Sequence, residues 1–247
     1  MTTARTVLIT GGAGGIGQAI ARAVTAHGDH AILADRDIDA AQVAAAELGG
    51  TARAISLDIT DPTAIEAGFA SLAERGGVDT LVNNAGILSV HGAVTDLAPE
   101  AYRSILEVNV LGTFAMTQAF ARHRIALGGG GSIVNISSIG GRQPTPGMGA
   151  YESSKAAVDS LTRWAAIELA GHGIRVNAVA PGPVLTPMLE QGMPEGSPAR
   201  AAWASRIPLG DLARVEQVAD AVSYLASEKA AHITGVSLPV DGGQLLT

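Results

Sequence analysis

Short apolar runs alternate with longer stretches of helical period along the whole chain. The first run, residues 6–9, is β-branched and predicts a strand. A helix is predicted over 15–27, a strand over 31–34, a helix over 38–48 and a strand over 53–57. Asp61-Pro62 reads as an N-cap followed by proline at the first helical position, so another helix starts there. Further strands fall at 80–83, 132–137, 174–179 and 236–240, with helices over 99–127 (in two parts), 151–170 and 215–226. The strands are continuously apolar rather than alternating, as in a parallel sheet covered on both faces. This order predicts an α/β chain built on a doubly wound parallel sheet of about seven strands. No linker, composition shift or repeat divides residues 1–247, so one domain is expected. The glycine run 128–131 precedes a strand and reads as a turn.

Composition narrows the function classes. Hydrophobic residues make up 47% and aromatics only 3%, so the core must come from Ala, Val, Leu, Ile and Gly. A net charge of −7 argues against nucleic acid or an anionic membrane as partner. No apolar stretch has the length of a membrane span, and Met1–Arg5 leads straight into the first strand, unlike a secretory signal. Without cysteine there is no disulfide, thiol nucleophile or thiolate metal site, and a cytoplasmic location is expected. His27, His30, His91, His123, His172 and His232 lack metal-ligand spacing and are expected in loops or at the surface; His91 has a possible place beside a substrate. No metal is expected.

The first strand leads into Thr10-Gly11-Gly12-Ala13-Gly14-Gly15-Ile16-Gly17, which opens a helix. Such a turn lets a pyrophosphate approach backbone N–H groups at a helix N-terminus. An ordinary strand–helix turn is the plainer reading, but the strand before and the helix after fit a Rossmann-like fold. Asp35 ends the second strand, eighteen residues beyond Gly17, where a carboxylate can bind both adenosine ribose hydroxyls and repel a 2′-phosphate. NAD is therefore expected over NADP. Arg36 offers the opposite preference if it turns inward, and Asp35 can instead serve as a helix cap. Asp58, beside Ile59 after the third strand, sits where it can bond an adenine amino group or serve the turn before Asp61. Asn83-Asn84-Ala85-Gly86 follows the fourth strand; amides there can pin neighbouring strand ends, and Gly86 lets a cofactor pass closely.

Tyr151 and Lys155 stand four apart, on one face of a predicted helix. An ammonium beside the phenol would lower its pKa and make Tyr151 a proton donor and acceptor near neutral pH. A surface pair is the bland alternative.

Together these residues resemble the short-chain dehydrogenase/reductase family, in its single-domain form, over essentially the whole chain. The family's Thr-Gly-x-x-x-Gly-x-Gly, Asn-Asn-Ala-Gly and Tyr-x-x-x-Lys stand at 10–17, 83–86 and 151–155. Its serine thirteen residues before the tyrosine matches Ser138, with Ser137 the adjacent alternative. Its helix asparagine matches Asn109, its Pro-Gly turn matches Pro181-Gly182-Pro183-Val184, and Asp241-Gly242-Gly243 also fits. The resemblance implies hydride transfer between NAD(H) and a secondary alcohol or ketone. Tyr151 would exchange the proton, Ser138 hold the reacting oxygen, and Lys155 tune Tyr151 and bind the nicotinamide ribose. Asn109 would hold a water behind Lys155, and Thr186 would reach the carboxamide; a buried helix residue and a helix cap are their plainer readings.

Arg142, Gln143 and Met148 lie between Ser138 and Tyr151 and are expected to rim the substrate pocket. Residues 186–207, with Met188, Leu189, Met193 and Trp203, read as a mobile lid, or as packing beneath one. Ala157, Leu161, Trp164 and Ile167 make a second side of the Tyr151 helix apolar. The resemblance implies that a second copy covers it, in a homotetramer built as a dimer of dimers; neighbouring helices of the same chain are the other cover. A 3-oxoacyl-carrier-protein reductase using NADPH is the rival enzyme; Arg122 and Arg124 would then be a basic spot for an acidic carrier, though a solvated helix face is their plainer reading. A non-catalytic nucleotide-binding scaffold is the rival from another class.

Overall fold

The computed structural model describes residues 4–247, apart from the side chains of 188, 191 and 192. Its centre is a parallel sheet built from β1 (Thr6–Thr10), β2 (His30–Asp35), β3 (Ala52–Ser56), β4 (Thr80–Asn83), β5 (Gly131–Ile136), β6 (Ile174–Pro181) and a last strand, β9 (Ser237–Val240). Their order is β3-β2-β1-β4-β5-β6-β9, so the chain reverses its direction of travel between β1 and β4. Carboxyl ends at such a switch point leave a crevice for a ligand.

Successive strand residues point to opposite faces, and both faces are dry. Val7, Ile9 and Leu33 pack with Ile20 and Val24 of α1 (Gly15–Ala26), Ala41 and Ala44 of α2 (Ile38–Glu47), and Val218 and Val222 of α9 (Val215–Ala226). Leu8 and Ile32 point the other way. They meet Ile65 and Phe69 of α3 (Pro62–Ala73), Met116 and Phe120 of α5 (Thr113–Ala126), and Ala165 of α6 (Gly149–Leu169). Burial on both faces is why these strands read as unbroken apolar runs.

Asp61 caps α3 as expected, its carboxylate accepting from the Thr63 and Ala64 N–H groups. The stretch expected as two helices is α4 (Pro99–Leu106) and α5, joined by a wide π turn, Glu107–Gly112. Gly112 is required there, because a Cβ would come within 2.7 Å of Ile59.

Residues 186–207, expected as a lid, carry short elements that the sequence did not show. β7 (Val184–Leu185) pairs with β8 (Ala213–Arg214), and α7 (Pro187–Gly192) and α8 (Pro198–Ala204) lie between them. Both helices start with proline after a capping hydroxyl, Thr186 and Ser197. The glycine run before β5 is a turn, and it is tied down: Arg124 donates to the Gly129 and Gly130 carbonyls and pairs with Asp79 at 3.0 Å. Arg124 is thus no part of a free basic spot. His123 also departs from expectation. It is 8% exposed, its ring accepts from the Val78 N–H, and burial, then the Arg124 charge, lowers its pKa.

Candidate active site

The glycine turn lies where β1 hands over to α1. Gly11 adopts φ +61, and a Cβ on it would meet the Ala85 backbone at 2.9 Å. Asn84 fixes that approach: its side-chain amide donates to the Thr10 and Gly11 carbonyls, while its N–H bonds the Thr10 hydroxyl. The ends of β1 and β4 are thereby stitched together. Asn83 points into the protein instead, donating to Thr117 and to Asn135. Gly17 packs beneath the turn, where any Cβ would strike the Gly11 carbonyl.

A cleft of about 790 Å³ opens above this turn. Gly11, Gly14, Gly15 and Ile16 line it from the turn, and Asp35 and Arg36 from the end of β2. Asp58, Ile59, Asn84, Ala85, Gly86 and Thr186 also line it, whereas Gly17, Tyr151, Lys155, Pro181, Gly182 and Val184, expected at the nucleotide too, do not. Asp35 is not the cap of α2; Asp37 is. One Asp35 oxygen accepts from Ala13 N–H in the glycine turn and the other from Asp37 N–H. Asp58 serves its local turn, accepting from the Thr60 N–H and hydroxyl, and those two bonds depress its pKa.

A second, more apolar cavity of about 470 Å³ adjoins the first, sharing Ile16 and Thr186 with it. Ser138, Met148, Tyr151, Pro181, Gly182 and Val184 line it, as do Gln143, Leu189, Met193 and Trp203. His91 stands at it too. Thr186 caps α7, accepting from the Leu189 N–H at 3.3 Å, so the cap reading holds while the residue also faces both cavities. The Met188 side chain lies outside the described residues.

Arg142 does not rim this cavity. Its guanidinium turns to Asp159, a buried carboxylate 3.4 Å away, and to the Ser237 carbonyl. A carboxylate in the interior demands partners, and Asp159 takes Arg142 on one oxygen and the Ser237 hydroxyl, at 2.8 Å, on the other. Two lining residues that sequence reasoning left out are Glu152 and Gln244. Glu152 is buried and accepts from Thr145 N–H, holding the loop between Ser138 and α6.

Tyr151 and Lys155 share a face of α6, with the ammonium 5.5 Å from the centre of the phenol ring. Lys155 is 5% exposed and donates to the Ile136 carbonyl at 2.8 Å, lining neither cavity. Burial lowers its pKa to about 8. Tyr151 departs from the expectation of a lowered pKa. Burial raises it, a hydrogen bond with Ser138 opposes the rise, and the Glu152 charge adds to it. An ammonium aimed at a carbonyl and itself short of solvation does not offset the loss of water around the phenol.

Ser138 Oγ accepts from Gly140 N–H. Ser137 is buried and donates to the Lys155 carbonyl, so of the two serines Ser138 is the one beside Tyr151. Asn109 is fully buried in the π turn, exchanging hydrogen bonds with Ile87 N–H and C=O and donating to Ser154. A Cβ on Gly86 would stand 3.3 Å from Asn109 Oδ1 and 3.5 Å from Lys155 Nζ, so that glycine separates the pair from the nucleotide-sized cleft. A π turn at a functional position is a common association.

At the opposite, amino ends of the strands, a cleft of about 760 Å³ collects Arg5, Arg124 and Arg175. Their guanidiniums are engaged by Asp29, Asp79 and main-chain carbonyls. Among the described residues no group of three or more metal-ligating side chains converges, and no helix is long and apolar enough to cross a membrane.

Residues 11–244 match the family model described as enoyl-(acyl carrier protein) reductase. The chain is 38% identical to a sorbitol dehydrogenase of Cereibacter sphaeroides, over 98% of both proteins. A 3-ketoacyl-(acyl-carrier-protein) reductase from Brucella melitensis, solved with NADH, superimposes with a TM-score of 0.89 at 36% identity, over 98% of each chain. ElxO, solved with NADP, gives 0.93 at 32% identity over 99% of this chain and 100% of its own.

Proposed function

The chain belongs to the short-chain dehydrogenase/reductase family, and from that premise we propose that it oxidises a secondary alcohol, or reduces the ketone, with NAD(H) as cofactor. The observation that carries the reading is the meeting of two cavities at Thr186 and Ile16, with Tyr151 and Ser138 in one and the glycine turn in the other. The residues fit a dinucleotide: the glycine turn opens onto the cleft at the start of α1, and Asp35 is fixed at the end of β2. Gly11, Gly14, Gly15 and Ile16 would hold the pyrophosphate at the start of α1. Asp35 would hold the adenosine ribose, and its charge favours NAD over NADP. Asp58 and Ile59 would flank the adenine, with Asn84, Ala85 and Gly86 along the remaining wall. Pro181, Gly182, Val184 and Thr186 would border the carboxamide end.

The nicotinamide, when bound, supplies or accepts the hydride. This chain's residues place the substrate and move the proton. Tyr151 gives its hydroxyl proton to the substrate oxygen or takes one from it. Ser138, on the same cavity wall as Tyr151, would hold that oxygen. Lys155 brings positive charge to the same point, and with Asn109 forms the polar floor behind Gly86. Such positioning and proton transfer contribute typically 10²–10⁴-fold to rate.

The carrier-protein reductase reading gains little from the geometry. Arg124 is engaged internally, leaving Arg122 alone, on a chain of net charge −7. A second copy of the chain is the cover we assign to α5 and α6, where Trp164 and Ile167 are 50% and 80% exposed. The test is turnover of a panel of secondary alcohols with NAD⁺ and, separately, NADP⁺. Oxidation with NAD⁺ favoured is the expected result; no oxidation of any of them with either nucleotide would overturn the reading.

A further inference from the structure

Gln244 is 3% exposed and lines the cavity that holds Tyr151. Neither end of its amide has a hydrogen-bond partner among the described residues, and Oε1 is fully buried without one. Leaving such a group unpaired costs about 1–3 kcal/mol. Its position is nonetheless held firmly. Asp241 accepts from the Gly243 and Leu245 N–H groups on either side, and the Thr247 hydroxyl donates to the Gln244 carbonyl. Gly243 supplies the left-handed backbone, φ +89, that this turn needs. Opposite stands Gly182, whose absent side chain leaves 3.6 Å between a Cβ position and Gln244 Oε1.

The other buried or half-buried polar side chains around the cavity are largely engaged. Gln143 donates to the Thr247 carbonyl, Glu152 accepts from Thr145, and Thr186 caps α7. Ser137 donates to Lys155, and Ser138 and Tyr151 are assigned to the reacting oxygen. A buried, unsatisfied amide on a fixed backbone is what remains, in a cavity otherwise walled by Ile139, Leu189, Trp203 and Leu212.

We infer that Gln244 reads a second hydroxyl on the substrate, so that the enzyme takes diols or hydroxyketones on an apolar carbon frame in preference to simple alcohols. The inference rests on the oxidoreductase reading above. A hydroxyl both donates and accepts, so it can bond the amide end that faces the cavity whichever way round the amide stands. A simple alcohol leaves the amide unpaired, and sites built around such a bond reject analogues that lack it.

The test compares cyclohexanol with cyclohexane-1,2-, 1,3- and 1,4-diol, each oxidised by two electrons to the ketone or hydroxyketone with NAD⁺ as acceptor. At least one diol should exceed cyclohexanol in kcat/KM by about tenfold or more. In Gln244→Met, of nearly the same size, that ratio should fall toward one. A variant that merely folds poorly lowers both rates and leaves the ratio unchanged, and an unchanged ratio overturns the inference. So does a wild-type protein that prefers none of the diols. If nothing is oxidised, the oxidoreductase reading fails, and calorimetry of the same compounds on protein mixed with NADH still decides the role of the amide. Tighter diol binding by the wild type than by Gln244→Met supports it; equal binding refutes it.

Discussion

Lys155 is buried 5.5 Å from the Tyr151 ring centre with its pKa lowered to about 8. The unfolded chain therefore holds that proton more tightly than the folded one between about pH 8 and 10.5. Folding stability gains from this group as pH rises through that window, by roughly 3 kcal/mol if the shift is fully expressed. Urea unfolding of the nucleotide-free protein across the window, compared with Lys155→Met, should show a rise in the wild type that the variant lacks; parallel curves would assign the rise to other groups. Asp35 belongs to the same scale. Asp35→Ala should weaken NADH binding about tenfold or more and NADPH far less, because on the proposed reading the carboxylate would both bind the ribose and repel a 2′-phosphate. Calorimetric titration checks this, and equal losses would remove Asp35 from the choice of cofactor. The sequence made these residues legible because their chemistry is local to a motif. It did not reveal the direction of the Tyr151 shift, which depends on how much water the folded chain removes.

Elements carry the next level. α7 starts at Pro187 behind the Thr186 cap, and a Cβ on Gly15 would meet Pro187 at 2.9 Å. The lid thus packs directly on the glycine turn. Thr186→Ala removes the cap, which costs about 1 kcal/mol, and should raise the nucleotide KM about fivefold. Thr186→Ser should restore it; a steady-state KM unchanged in the alanine variant would separate the cap from nucleotide binding. The sheet and its major helices were legible to within a few residues, since strands buried on both faces advertise themselves as apolar runs. β7, β8 and the two lid helices were not, being short and held by tertiary contact rather than by period. Arg142 was misplaced for a related reason: its partner, Asp159, lies a full loop away on α6 and nothing in the local sequence announces it.

At the scale of the molecule, the face formed by α5 and α6 remains apolar. Trp164 stacks on Phe114 at 5.9 Å, with Leu111 and Ile167 exposed beside the pair. An exposed patch of this kind on a stable protein marks an interaction surface. Replacing Trp164 and Ile167 together by glutamate should split an assembly of identical chains into smaller units in sedimentation velocity, with the sheet intact by circular dichroism. An unchanged sedimentation coefficient would place the interface elsewhere. Gln244 was illegible at every scale in the sequence. It follows a glycine turn with no period, and only the closed fold brings the end of the chain over the cavity of Tyr151.

On the proposed mechanism Tyr151 moves the proton while the glycine turn independently holds the nucleotide. The most direct test is Tyr151→Phe, assayed for alcohol oxidation and, in the same preparation, for NADH affinity by calorimetry. The expected result is turnover lowered by about 10³-fold or more, with the NADH dissociation constant within a few fold of the wild type. Turnover retained in the phenylalanine variant would take the proton transfer away from Tyr151.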